Sequence, residues 1–239
     1  MARAQGIESL EMPGAGGAAL FPIALFAALP AGRGLDPSWL LLGGAVWLIV
    51  VMLAALAVRG PGSRPLEAVG ITVFAALYAG GLPAFLLWLR HGSSVPGAWA
   101  GTWLVFLPLA VTWICDSLAM MGGALIGGAK LAPVLSPKKT WAGAVTGLVG
   151  ALVVAPAYGW LILERVGMPV PFIGLVLVGL AIGTLGQVGD LAESLFKRQA
   201  GLKDSGAFFP GHGGVLDRLD SLYWGIPLTA VVLRAYGTI

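Results

Sequence analysis

Residues 39–58, WLLLGGAVWLIVVMLAALAV, contain no charged side chain. At a rise of about 1.5 Å per residue, such a helix is about 30 Å long, which is the thickness of a bilayer's hydrocarbon core. Being apolar all round, it belongs in lipid rather than on the surface of a soluble domain. Residues 68–89 repeat the pattern, with Trp39 and Trp88 placed like the aromatic anchors of a membrane interface. Further uncharged runs lie at 141–163, 166–189 and 222–233, and a short one at 18–29 carries Pro22 near its start. The last run is short and needs Arg234 snorkelling, or the terminal AYGTI, to complete a crossing. Residues 98–129 hold a single charge, Asp116, and are too many for one straight span, so a break is expected near Gly122, Gly123, Gly127 and Gly128. The fold class is therefore all-α, a polytopic integral membrane helix bundle of about seven transmembrane helices, with a range of about six to eight. We expect one membrane-embedded domain over 1–239, with N-terminal spans in 1–110 and catalytic spans in 111–239.

Composition agrees, since 58% of residues are hydrophobic and 10% charged, against roughly 25% charged in soluble domains. A net charge of +3 with a pI of 9.2 fits basic cytoplasmic loops and argues against nucleic acid as a partner. Cys115 is the single cysteine, so no intrachain disulfide can form, and it sits in an apolar run. Residues 1–17 carry Glu8 and Glu11, unlike the basic start of a signal peptide, and read as a cytoplasmic tail. With seven spans and the N-terminus inside, Arg3, Arg59, Arg64, Lys130, Lys138, Lys139, Lys197, Arg198, Lys203 and Arg218 face the cytoplasm. Arg33, Arg90, Arg165 and Arg234 face outward. This bias follows the positive-inside rule.

The polar residues gather in one stretch, 186–221, which holds five of the eleven acidic residues (Asp190, Glu193, Asp204, Asp217, Asp220) and four of the fourteen basic ones (Lys197, Arg198, Lys203, Arg218). If the preceding span continues as helix, Asp190, Glu193, Ser194 and Lys197 share a face. Asp217 and Asp220 are again three apart. Hard carboxylate oxygens suit Mg²⁺, which is usually held by one or two carboxylates together with phosphates and water. Gly201, Gly206, Gly211, Gly213 and Gly214 lie between the acidic pairs, and their backbone N–H groups can form an anion nest. We expect the segment from Ala200 to Gly214 to be ordered by Mg²⁺ with nucleotide. Asp116, an ionisable residue within a span, is a functional candidate by cost alone. Upstream, Ser136 and Pro137 form a helix-start pair, which would set Lys138 and Lys139 at the positive end of a helix, where an anion would satisfy both. The same lysines also serve as positive-inside residues. Carboxylates for metal and cations for phosphate at a membrane surface point to phosphoryl or nucleotidyl transfer to a lipid.

SLFKRQAGLKDSGAFFPGHGGVLDRLD, Ser194 to Asp220, resembles the signature of phosphatidate cytidylyltransferases, or CDP-diacylglycerol synthases. Gly189, Asp190 and Glu193, and LAPVLSPKKTW at 131–141, are similar to the family too, so the likeness covers roughly residues 112–224. The resemblance implies an enzyme of the cell inner membrane, with its active site facing the cytoplasm, that joins CTP and phosphatidate into CDP-diacylglycerol and pyrophosphate with Mg²⁺. It implies metal at Asp190, Asp217, Asp220 and Asp116, and catalytic roles for Lys203, Asp204, Asp217 and Arg218. Substrate contacts would come from Ser136, Lys138, Lys139, Thr140, Lys197, Arg198, His212, Gly213 and Gly214. His212 is expected as a structural or phosphate-contacting residue rather than a base, because a phosphate monoester is largely ionised at pH 7. The partners are CTP, phosphatidate and membrane lipids, with a homodimer as a further expectation.

The departures lie upstream. Where members carry Tyr, then Gly-Arg, then Gly-Lys-His, this chain has Met120, Gly123 with Ala124, and Gly127 with Gly128 and Ala129; Ala142 replaces a usual Glu. An Arg, a Lys and a His are thereby missing from a nucleotide-facing segment. Two other readings remain open at this point: cytidylyl transfer to another lipid phosphate, and a non-catalytic membrane protein that binds anionic lipid. Charges gathered at one membrane face disfavour a transporter.

Overall fold

The computed structural model describes residues 6–29, 36, 38–93, 99–206 and 214–239. Two compact units divide the chain, Met1–Gly92 and Ser93–Ile239.

Among its described residues, the first unit holds three long helices: α1 (Glu11–Ala28), α2 (Ser38–Val58) and α3 (Pro65–His91). The expected tail is shorter than its composition implied, because α1 starts at Glu11. A carboxylate in the first turn complements the helix dipole, and Gly and Ala extend the apolar run behind it. A buried hydrogen bond from Leu10 N to Thr72 Oγ1 (2.9 Å) ties the start of α1 to α3. Trp47 Nε1 donates to the Pro13 carbonyl (2.8 Å), and its ring presses on Gly17. Gly80, in the π-helical turn of α3, lies against the Ala18 backbone, a close approach that a Cβ would block. Leu10, Val51 and Ala55 form a buried cluster, while Leu41 and Leu56 of α2 are exposed, as lipid-facing residues are.

The second unit holds α4 (Ala100–Leu125), a hairpin of β1 (Lys130–Ala132) and β2 (Ser136–Thr140), α5 (Trp141–Leu163), α6 (Phe172–Gln199) and α7 (Leu216–Ala235). Among the described residues, six helices, α1 to α6, are long and apolar enough to cross a membrane. α7 carries Asp217, Arg218, Asp220 and Arg234 around its apolar middle. The protein is an all-α multi-pass membrane bundle that also carries a small antiparallel hairpin, in which Lys130 pairs with Thr140 and Ala132 with Ser136.

One local expectation is narrowed and two change. The break after Asp116 falls at Gly127 and Gly128, whose φ angles of 68° and 89° are the left-handed values that glycine tolerates, whereas Gly122 and Gly123 stay helical. Ser136 and Pro137 do not start a helix: they lie in β2, and Thr140 caps α5 by accepting from Gly143 N (3.1 Å). Lys138 and Lys139 are thus strand residues. Finally, α7 gains length at its N-terminal side, starting at Leu216, and ends at Ala235, so the terminal AYGTI adds nothing to the helix beyond that residue.

Small residues bring α4 and α5 together. A Cβ at Gly143 would stand 2.5 Å from the Ala119 carbonyl oxygen, and one at Gly147 would stand 2.9 Å from that of Cys115. Lipid gives apolar helices no hydrophobic reason to associate, so such backbone proximity supplies the packing instead. Polar bonds add to it: Thr146 Oγ1 reaches the Leu118 carbonyl (3.1 Å), and Tyr158 Oη reaches that of Trp103 (2.8 Å).

Candidate active site

A cavity of about 480 Å³ opens within the second unit. Asp116 reaches it from α4, Lys138, Lys139 and Thr140 from β2, Asp190 from α6, and Asp217 and Asp220 from α7. The hairpin puts the lysines there: β2 runs directly into α5, and Thr140 both caps that helix and lines the cavity. A π-helical turn at Ile182–Gly186 precedes Gln187 and Asp190 in α6. Such a turn takes in an extra residue and rotates the face that follows it. Gln187 Nε2 donates to the carbonyls of Ala144 (3.1 Å) and Gly183 (2.5 Å), fixing α6 against α5 at the cavity wall.

Electrostatically, the site is built of paired charges. Lys139 Nζ forms an ion pair with Asp190 Oδ2, both about three-quarters shielded. Lys197 Nζ donates to Asp217 Oδ1 (2.7 Å) and stands 3.1 Å from Glu193 Oε1, whose side chain is 1% exposed. Burying such groups is costly unless partners compensate, which is why the three are found together. Helix spacing anticipated the shared face of Asp190, Glu193 and Lys197 but not its division: Asp190 meets the hairpin, whereas Lys197 meets α7.

The remaining sequence candidates are dispersed. Arg198 donates from Nε to the Leu135 carbonyl and from Nη1 to that of Leu202, both at 3.2 Å, which ties the end of α6 to the hairpin turn. Lys203, Asp204 and Arg218 are exposed and do not line the cavity, and neither does Ser136. Gly214 is buried and donates its N–H to Asp217 Oδ2 (2.7 Å). His212 and Gly213 lie outside the described residues. Sequence reading missed Gln187 and Ser205. A mid-helix amide gives no local signal of its inter-helix bonds, and a loop serine gives none of its carboxylate partner. The departures Met120, Gly123 and Ala124 do face the cavity, where they add no charge to the α4 wall beside Asp116.

Among the described residues, no three His, Cys, Asp or Glu side chains stand close enough to enclose a metal ion. Mg²⁺ asks for less, because one or two carboxylates suffice when substrate phosphates and waters complete the shell. The hard oxygens of Asp116, Asp190 and Asp220 around one open cavity fit that pattern.

Fold and cavity together define a multi-pass membrane protein that gathers carboxylates and lysines from α4, β2, α6 and α7 around a pocket. The chain belongs to the cytidylyltransferase family, whose model matches residues 7–236. It is 42% identical over 165 residues to the phosphatidate cytidylyltransferase of Brucella abortus biovar 1 (strain 9-941), covering 69% of this chain and 56% of that protein. It is 35% identical over 187 residues to the phosphatidate cytidylyltransferase of Bacillus subtilis (strain 168), covering 78% of this chain and 66% of that one. A third match, to the phosphatidate cytidylyltransferase of Haemophilus influenzae, is 38% identical over 139 residues, 58% of this chain and 48% of the relative. The matched region thus spans about half to two-thirds of the length of these relatives.

Proposed function

We propose that the chain transfers the cytidylyl group of CTP to phosphatidate, giving CDP-diacylglycerol and pyrophosphate, at the cytoplasmic face of the inner membrane. The observation that carries this reading is the convergence of Lys138 and Lys139 with Asp116, Asp190 and Asp220 on one cavity, from elements far apart in sequence. Membership of the cytidylyltransferase family and the names of the relatives support the chemistry. The excess of basic residues assigned to one side supports the orientation.

In the reaction, an oxygen of the phosphatidate phosphate attacks the α-phosphorus of CTP. A new P–O–P linkage forms, the bond to the β-phosphate bridge breaks, and pyrophosphate leaves with the electron pair. The nucleophile is already ionised, so the protein's main contribution is to orient polyanions and offset their charge. Lys138 and Lys139 do this from the hairpin. Lys139 is held ready by Asp190, and its charge is then available to a phosphate without a long search by a flexible side chain. Mg²⁺, held by Asp190 and Asp220 with Asp116 nearby, would supply charge neutralisation for the triphosphate.

The test is incubation of the purified protein with labelled CTP, phosphatidate and Mg²⁺, followed by solvent extraction. A lipid-soluble cytidine product that appears only when phosphatidate is present supports the reading. Its absence, in a protein shown to be folded, would overturn it.

A further inference from the structure

Asp217 carries an unusual load. Its Oδ2 accepts three hydrogen bonds, from Ser205 N, Ser205 Oγ and Gly214 N, each 2.7 Å, and its Oδ1 accepts from Lys197 Nζ at 2.7 Å. A carboxylate offers about four lone-pair sites, two on each oxygen. Oδ2 is therefore fully used, and an ammonium already faces Oδ1. The side chains behind it are equally enclosed: Asp217 is 8% exposed, Lys197 10% and Glu193 1%. Ser205 and Gly214 bracket the glycine-rich part of the signature, and their backbones nearly touch. A Cβ at Gly214 would stand 2.9 Å from Gly206 N, so only glycine admits this approach.

We propose that Asp217 is a positioning residue rather than a metal ligand: with Lys197 and Glu193 behind it, its carboxylate clamps Ser205 and Gly214 together against the first turn of α7. The clamp fixes Ser205 and Gly214 relative to Asp220, one turn further along the same helix. Glu193 shares the Lys197 ammonium and keeps it aimed at Asp217, so a residue remote from the cavity acts on the site through two ion pairs. The division of labour is then clear: Asp190 and Asp220 serve the metal, and Asp217 serves the chain.

The clamp deepens the proposed cytidylyl transfer, yet it can be tested without turnover. Full-length protein in detergent, with EDTA and no nucleotide, is compared by amide hydrogen exchange over the peptide containing Ser205 and Gly214. Protection there should fall about tenfold or more in Asp217→Asn and Lys197→Met, recover in Lys197→Arg, and remain at the wild-type level in Asp220→Asn. Ser205→Ala, a milder change, should show a smaller loss in the same peptide should the others fold poorly. Binding of Mn²⁺ with CTP is then followed by electron paramagnetic resonance. Asp217→Asn should keep its affinity within about threefold, while Asp220→Asn should lose about tenfold or more. Wild-type protection in Asp217→Asn, or loss of Mn²⁺ affinity equal to that of Asp220→Asn, would overturn the proposal. A protein that shows the clamp but makes no cytidine lipid would count against the proposed reaction and leave the clamp standing.

Discussion

The two units use ion pairs in opposite ways. In the first, Arg59 meets Glu8 with the glutamate 78% exposed, and Arg64 meets Glu67 with both half-exposed. In the second, the Lys197 pairs join side chains that are no more than 10% exposed, and Lys139 with Asp190 is largely shielded. Exposed pairs contribute about 0–1 kcal/mol and tolerate loss. Buried pairs rarely repay their desolvation by stability alone, so their presence in an apolar chain points to a task. The first unit keeps its charged residues near the ends of its helices, whereas the second brings them inward around a cavity.

The comparison is broken most forcefully at the carboxylates. Asp190→Asn and Asp220→Asn should each lower turnover by about 100-fold or more in protein that still inserts and folds, because charge stabilisation in a dry site is worth several kcal/mol. Activity within a few-fold of wild type at saturating Mg²⁺ would remove these residues from the metal. Packing is the next level. Gly143→Val should destabilise the second unit by about 1–3 kcal/mol in chemical denaturation, since its side chain meets the Ala119 carbonyl. Gly44→Ala in α2, where a Cβ meets nothing within 4 Å, should be neutral or stabilising by about 0.5–1 kcal/mol.

Smaller effects sharpen the contrast further. Lys138→Ala should raise the KM for CTP about tenfold and change kcat less, because it removes an exposed cavity cation that binds ground state and transition state alike. An unchanged KM for both substrates would return Lys138 to a purely topological role. Glu8→Gln, which breaks an exposed pair of the first unit, should change stability by less than about 1 kcal/mol and leave activity alone.

Much of this was legible in the sequence, because lipid imposes a simple rule: about 20 apolar residues for each crossing. Residues 39–58 and 141–163 declare themselves that way, and so does Asp116 as the charge that does not belong. Pairings between distant segments were not legible. Lys197 and Asp217 are twenty positions apart and no helical period links them. The hairpin was hidden for a different reason. Its strands have three and five residues, too few for a periodic signal, and Ser136-Pro137 mimics a helix start more strongly than Thr140 does. The backbone chose Thr140 because pairing of Lys130 with Thr140 already fixes the chain as strand up to that residue.

The central claim is that the charged cavity of the second unit is where CTP binds, and photolabelling tests it most directly. An azido-cytidine triphosphate is bound with Mg²⁺, illuminated, and the labelled peptides are sequenced. We predict label in the peptides of residues 116–144 or 187–220, competed by CTP and lost in Asp190→Asn. Label confined to residues 6–92, or label in the second unit that Asp190→Asn leaves untouched, would contradict the account.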